Sequence, residues 1–192
     1  RGTARAAFTA AFMSALFAVA LPSTAQTEEP IKPIAPDTKL DAKKVALGDK
    51  LFHDKRLSKD NSMSCASCHN LSRGGVDSLP TSIGIGGAKG PINAPTVFNS
   101  SLNFRQFWDG RAATLEEQAA GPVHNPKEMG SNWAEVLGKL AKDVALIDQF
   151  KQSYPDGLQV KNVQDAIATF ERSLTTPNSR FDRHLKGEKS AL

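Results

Sequence analysis

Ser64-Cys65-Ala66-Ser67-Cys68-His69-Asn70 decides how the rest of the chain is read. Two thiols three positions apart lie on one turn of helix, and a histidine directly follows the second. Cys-x-x-Cys-His is the attachment pattern of a c-type haem. Each thiol can form a thioether with one vinyl group, which leaves the adjacent imidazole under the iron. Two other readings compete. Half of a zinc site would need about four ligands, and the chain holds no further cysteine. A redox dithiol remains open, but the βαβ pattern that would support it is missing. Covalent haem is the expectation, with Cys65 and Cys68 as anchors and His69 as an axial ligand.

Bulk properties narrow the class. The 192 residues suit one domain with an extended tail. Apolar residues make up 40% of the chain, enough for a sizeable core. Lys plus Arg number 24 against 20 Asp plus Glu, a net charge of +4 scattered without blocks, so nucleic acid is not an expected partner. Arg1 and Arg5 flank the start of an apolar run over residues 6–21, followed by Pro22 and the small residues Ser23-Thr24-Ala25. This predicts a secretory signal peptide over 1–25. The run falls short of the roughly 20 apolar residues that span a bilayer, so no stable membrane insertion is expected after cleavage. Export to the periplasm agrees with c-type haem, which is attached on the outer side of the bacterial inner membrane.

Residues 26–40 hold Pro30, Pro33 and Pro36 and read as an extended, solvated leader. The domain proper is expected over 41–192. Leu40, Leu47 and Leu51 predict a first helix from about Asp41 to Phe52, with Asp37 or Asp41 as cap. His53, just after it, reads as a partly buried structural residue. Residues 71–101 are irregular, punctuated by Gly74-Gly75, Gly84, Gly86-Gly87, Gly90-Pro91 and Pro95. A loop of this length in a compact domain is usually functional, and a chain wrapping a flat cofactor accounts for it. Gly84-x-Gly86 lacks the strand and helix of a nucleotide motif. Thr114 and Glu117 predict a capping box for a short helix through Ala120. Trp133, Val136, Leu137 and Leu140 predict a helix capped by Ser131 or Asn132. Ile147, Phe150 and Tyr154 mark the next, ending before Pro155. Val163, Ile167, Phe170 and Leu174 mark another, halted before Pro177. Nothing alternates with period two over a useful length. The fold class is mostly α: a cytochrome c-like haem domain with long irregular loops wrapping the haem.

From Leu47 to Leu192 the chain resembles the bacterial di-haem cytochrome c peroxidases. The likeness rests on Cys65-Ala66-Ser67-Cys68-His69-Asn70, Gly90-Pro91-Ile92-Asn93-Ala94-Pro95-Thr96 and Gln106-Phe107-Trp108-Asp109-Gly110-Arg111-Ala112. Glu117-Gln118-Ala119, Gly121-Pro122-Val123, Glu128-Met129, Thr176-Pro177-Asn178-Ser179 and Phe181-Asp182 continue it in order. Members of that family carry two cytochrome c-like domains with one haem each. The single Cys-x-x-Cys-His here implies the N-terminal, peroxidatic-haem domain of a longer protein, with a second haem domain absent from this chain.

The resemblance implies a periplasmic enzyme that reduces hydrogen peroxide to water. Electrons would come from a small c-type cytochrome or cupredoxin through the second haem. It places Glu128 as the acid–base group on the reaction face and Gln118 as a neutral group orienting peroxide. Taken alone, Glu128 reads as an ordinary surface carboxylate and Gln118 as a solvent-facing helix residue. Phe107 would line the pocket with Met129 beside it. Trp108 would lie on the electron route between haems, although as a bare residue it reads as core. Asn93 would offer one oxygen to a calcium ion at the domain interface. The family is often homodimeric. One departure stands out: many members carry histidine between two loop glycines, where this chain has Gly84-Ile85-Gly86. Isoleucine cannot ligate iron, so either the site is open in every redox state or another residue closes it. His124 is the nearest candidate, though a water-facing role suits it better; His184 reads as structural or exposed. A different class competes: a mono-haem electron carrier with His69 and Met129 as axial ligands. A third reading is a relative that oxidises a protein or organic substrate.

Overall fold

The computed structural model describes residues 31–36 and 39–192. The expected signal peptide, residues 26–30 and residues 37–38 lie outside the described residues. One compact unit runs from Lys32 to Leu192.

Helix α1 (Ala42–Phe52) begins where Asp41 Oδ1 accepts from the backbone N–H of Lys43 and Lys44 at 2.8 and 3.2 Å. These bonds satisfy donors that a helix start leaves orphaned. Helix α2 (Cys65–Cys68) is the single turn expected of the haem motif. Then follow α3 (Leu115–His124), α4 (Trp133–Leu140), α5 (Val144–Ser153), α6 (Val160–Ser173) and α7 (Arg180–Leu185). Among the described residues, strand-like pairing is limited to two isolated antiparallel bridges, Ile83 with Lys89 and Gln106 with Ala112. The stretch 71–101 is irregular apart from short 3-10 turns, as its glycines and prolines predict.

The core is built on α6. Its fully buried Val163, Ala166 and Ile167 meet Leu47, Leu51 and Phe52 of α1, and each buried side chain of this size is worth about 1.5–3 kcal/mol. The Phe52 and Phe170 rings lie 5.3 Å apart. The helices approach so closely that a Cβ on Gly48 would sit 1.9 Å from the Ala166 carbonyl oxygen. On its other side α6 holds α3 through Glu116, whose carbonyl accepts from Gln164 Nε2 at 3.0 Å and whose carboxylate pairs with Arg172 at 2.6 Å.

Two expectations need correction, on α3 and His53, and one helix, α7, was not foreseen. Helix α3 does not stop at Ala120 but runs through Gly121-Pro122 to His124. Proline removes one N–H from the ladder, and the last turn is held instead by Asn125 N–H donating to the Gly121 carbonyl at 3.0 Å and Met129 N–H to the Pro122 carbonyl at 3.1 Å. Helix α7 had no periodic stripe to announce it; six residues are too few. Its sequence signal is the capping box of Ser179 and Asp182, closed at 2.9 and 3.1 Å. His53 is exposed rather than partly buried, with its Nδ1 2.9 Å from the Asp49 carbonyl oxygen. The leader is also less free than its composition suggests, because Ile34 N–H donates to Asp182 Oδ1 at 2.9 Å.

Candidate functional site

The one-turn helix α2 brings Cys65, Cys68 and His69 to the wall of a cavity of about 460 Å³. Ser67 Oγ accepts from Ser64 N–H at 3.0 Å and so starts the turn. Asn70 then builds the following loop: its side chain accepts from Ser72 and its carbonyl from Gly75 N–H. Gly75 sits at φ +74, a left-handed conformation that glycine adopts without steric cost. Its carbonyl lies 3.2 Å from His69 Nδ1. With Nδ1 donating there, Nε2 is the ring nitrogen left without a proton, as a metal-ligating histidine requires. Burial pushes the His69 pKa down, which keeps the imidazole neutral.

Burial pushes the Cys65 thiol up to about 12 and also raises Cys68, where Asp77 and Glu128 add to the effect. Thiols held protonated are poor redox nucleophiles. The dithiol reading loses its chemical basis here.

The opposing residues come from three separate segments. The loop between Gln106 and Ala112 is closed by Gln106 N–H donating to the Ala112 carbonyl at 2.9 Å. At its turn Phe107 takes φ +65, a strained state for a non-glycine residue worth about 1–3 kcal/mol. The ring is wedged against α3, where a Cβ on Gly121 would lie 2.6 Å from its Cζ. Arg111 stacks its guanidinium 3.4 Å over the centre of the Phe107 ring and bonds Asp109 at 2.8 Å. Trp108 is 62% exposed, not core; its Nε1 donates to the Asn93 carbonyl at 3.2 Å. Gln118, on α3, is half-buried against the cavity rather than facing solvent, and its side-chain amide makes no hydrogen bond with the described residues.

Glu128 hangs on a short segment tied at several points. Its N–H donates to the Asn125 carbonyl at 2.9 Å, and its carbonyl accepts from Ile85 N–H at 2.8 Å. Met129 carbonyl accepts from Lys59 N–H at 2.9 Å. Asn125 Nδ2 donates to Glu128 Oε1 at 2.7 Å, and Oε2 has no hydrogen-bond partner among the described residues. Burial raises the Glu128 pKa; the Asn125 hydrogen bond and the Arg111 charge oppose that without cancelling it. Met129 is 4% exposed and lines the same cavity. The nine residues expected to hold haem, act on substrate or bind calcium, Asn93 included, therefore border one cavity.

Sequence reasoning missed others. Arg111 lay inside a quoted motif but was given no role. Glu171 on α6 also lines the cavity; the only hint was its position four residues after Ile167, one helical turn along the same face. Ile85 is turned to Gly130 and does not border the cavity, and exposed His124 packs edge-on against Trp133 at 5.9 Å instead of closing it.

A haem fits these residues. The volume is that of a cofactor site, the thiols and the pinned imidazole share it, and the buried Ser100 Oγ on its wall has no hydrogen-bond partner among the described residues. Calcium is different. Among the described residues no group of three or more His, Cys, Asp or Glu could hold a metal ion, and the Asn93 amide alone does not make a site. Among them, too, no helix is long and apolar enough to cross a membrane.

Comparison with known proteins agrees with the geometry. The family described as di-haem cytochrome c peroxidase matches residues 42–190. Cytochrome c peroxidase Ccp of Escherichia coli is 58% identical over 165 residues, covering 85% of this chain and 36% of that protein. Cytochrome c551 peroxidase of Nitrosomonas europaea is 48% identical, covering 94% of this chain and 54% of its own length. The chain thus spans about a third to a half of the curated relatives it matches. Among solved structures, a MauG-like protein associated with microbial copper homeostasis aligns with a TM-score of 0.72 at 32% identity, over 90% of this chain and 51% of that one. The diheme peroxidase BthA from Burkholderia thailandensis aligns with a TM-score of 0.64 at 27% identity, over 77% of this chain and 43% of that one.

Proposed function

Since this chain belongs to the di-haem cytochrome c peroxidase family, we propose that its helical unit is the peroxidatic haem domain of a periplasmic enzyme that reduces hydrogen peroxide to water. The net reaction joins one peroxide, two electrons and two protons to give two waters. Electrons arrive from a small c-type cytochrome or cupredoxin by way of a second haem domain, and Trp108 at the rim of the cavity is the entry point.

Cys65 and Cys68 would hold the haem by thioether bonds, and His69 would ligate its iron through Nε2. When bound, the haem supplies the redox chemistry that breaks the O–O bond. The chain's own residues manage position and protons. Gln118 offers its unpartnered amide to orient the substrate. Glu128 Oε2, the oxygen that Asn125 leaves free, takes a proton from one peroxide oxygen and returns it to the other, which departs as water. The raised pKa places this carboxyl nearer to neutral pH, where gain and loss of a proton are both facile. Phe107 and Met129 exclude water from the wall around it. A calcium ion at Asn93 belongs to the family likeness; no step depends on it.

The observation that carries this reading is the placement of Glu128 and His69 on one cavity. The test is oxidation of a reduced c-type cytochrome by peroxide, with haem-loaded full-length protein and its Glu128→Gln variant. Loss of turnover with an unchanged visible spectrum is expected; unchanged turnover overturns the assignment. Buried Met129 on the same wall gives a specific basis for the His69/Met129 electron-carrier reading. A sulfur-to-iron charge-transfer band in the visible spectrum would establish the carrier instead.

A further inference from the structure

Glu171 is an acid that the chemistry above does not use. It lies on α6 among buried apolar residues, is 6% exposed, and borders the cavity that receives the haem. Its carboxyl makes no hydrogen bond or ion pair with the described residues. The charged neighbours that could hold it ionised are already committed: Arg172 is paired with Glu116 at 2.6 Å, and Glu116 itself repels Glu171. From α2, Cys65 faces it as a protonated thiol, and as a thioether once haem is attached. Facing α6, helix α1 contributes Leu47, Leu51 and Phe52 to the core and helix α3 contributes Ala119 and Val123. The one polar atom of the 100–102 turn on this wall is the unpartnered Ser100 hydroxyl. An unpaired carboxylate in such surroundings carries a large desolvation cost.

We propose that Glu171 is the proton partner of the haem electron: one electron entering the haem is balanced by one proton bound from solvent at the Glu171 carboxylate, and both leave together. This rests on the haem reading above. The added electron makes the iron site one unit more negative inside a low-dielectric cavity, and a nearby acid then binds its proton more tightly. Burial already pushes Glu171 up to about 8, so the acid changes state at mildly alkaline pH, where a haem potential is readily measured. The role differs from that of Glu128, which moves a proton within the substrate.

The experiment is spectroelectrochemical titration of the haem-loaded full-length protein at a series of pH values around 8. The expected midpoint potential falls as pH rises through that region, and Glu171→Gln flattens the dependence. Glu128→Gln keeps it, and Glu171→Asp keeps it with a displaced inflection, which guards against a merely structural defect. Redox-difference infrared spectra of the parent should also show a protonated-carboxyl stretch that Glu171→Gln lacks. A potential that does not respond to pH in the parent, or a dependence that survives Glu171→Gln, overturns the proposal. A coloured protein without peroxide turnover overturns only the peroxidase reading and leaves this titration decisive; a colourless one overturns both.

Discussion

Gly84→Ala tests how tightly the loop governs the acid–base group. At φ −100° and ψ −157° the Gly84 backbone suits any residue, so the glycine is required by space alone. A Cβ there would lie 2.0 Å from the Lys127 carbonyl oxygen and 2.7 Å from Glu128 Cα. Ordinary contact begins at 3.4 Å, so the Glu128 segment must retreat by about 1.4 Å, and both obstacles are backbone atoms that no rotamer change can move. The 2.8 Å bond from Ile85 N–H to the Glu128 carbonyl is broken by the same displacement. A catalytic group misplaced by about 1 Å costs about 100-fold in rate, and overpacking costs about 1–3 kcal/mol of stability. The assay is steady-state peroxide reduction by haem-loaded enzyme, with the visible spectrum as control for haem occupancy. We expect kcat/KM about 100-fold below the parent at equal haem content. A variant within threefold of the parent would refute the claim that this contact fixes Glu128.

Glu128→Gln should reduce kcat by about 10²–10⁴-fold, the range for loss of a general acid–base group, while peroxide-independent spectra stay unchanged. Because the base must be ionised to accept a proton and its pKa is raised by burial, the parent's activity should fall on acidification at a pH above that of an ordinary carboxylate. Asn125→Ala removes the 2.7 Å bond that favours the ionised form, so that acid limb should move to still higher pH in the rate profile. Gly48→Ala should destabilise the unit by about 1–3 kcal/mol in chemical denaturation, because α1 and α6 must part to admit the methyl group. Gly138→Ala on α4 meets nothing within 4 Å and should stabilise by up to about 1 kcal/mol in the same assay.

Local chemistry made much of this fold readable. Asp41, Thr114 and Asn132 announce α1, α3 and α4 because a capping side chain acts within its own turn. The stripes of α5 and α6 repeat over enough turns to be seen. The haem turn was legible from two thiols and an imidazole. Effects set by tertiary packing were not. Nothing local says that α3 continues through Gly121-Pro122, or that Gly121 is kept small for the Phe107 ring. Glu171 reads as an ordinary helix acid until α1, α3 and the long loop close around it. Trp108 shows the reverse: its bulk suggests interior, yet its loop carries it to the surface. The ties that reach the Glu128-Met129 segment from Ile85 and Lys59 span more than 40 residues of sequence, so only the folded chain reveals them.

The protonated state of Cys65 and Cys68 bears on the order of events during maturation. Both thiols are only partly covered where they line the cavity, but held protonated they have little nucleophilic character. Thioether formation is therefore expected to run faster on the open polypeptide, with the helices closing over the porphyrin afterwards. Chains that collapse first would be stranded as pigment-free by-products, so the speed of export and ligation relative to collapse sets the yield of coloured protein.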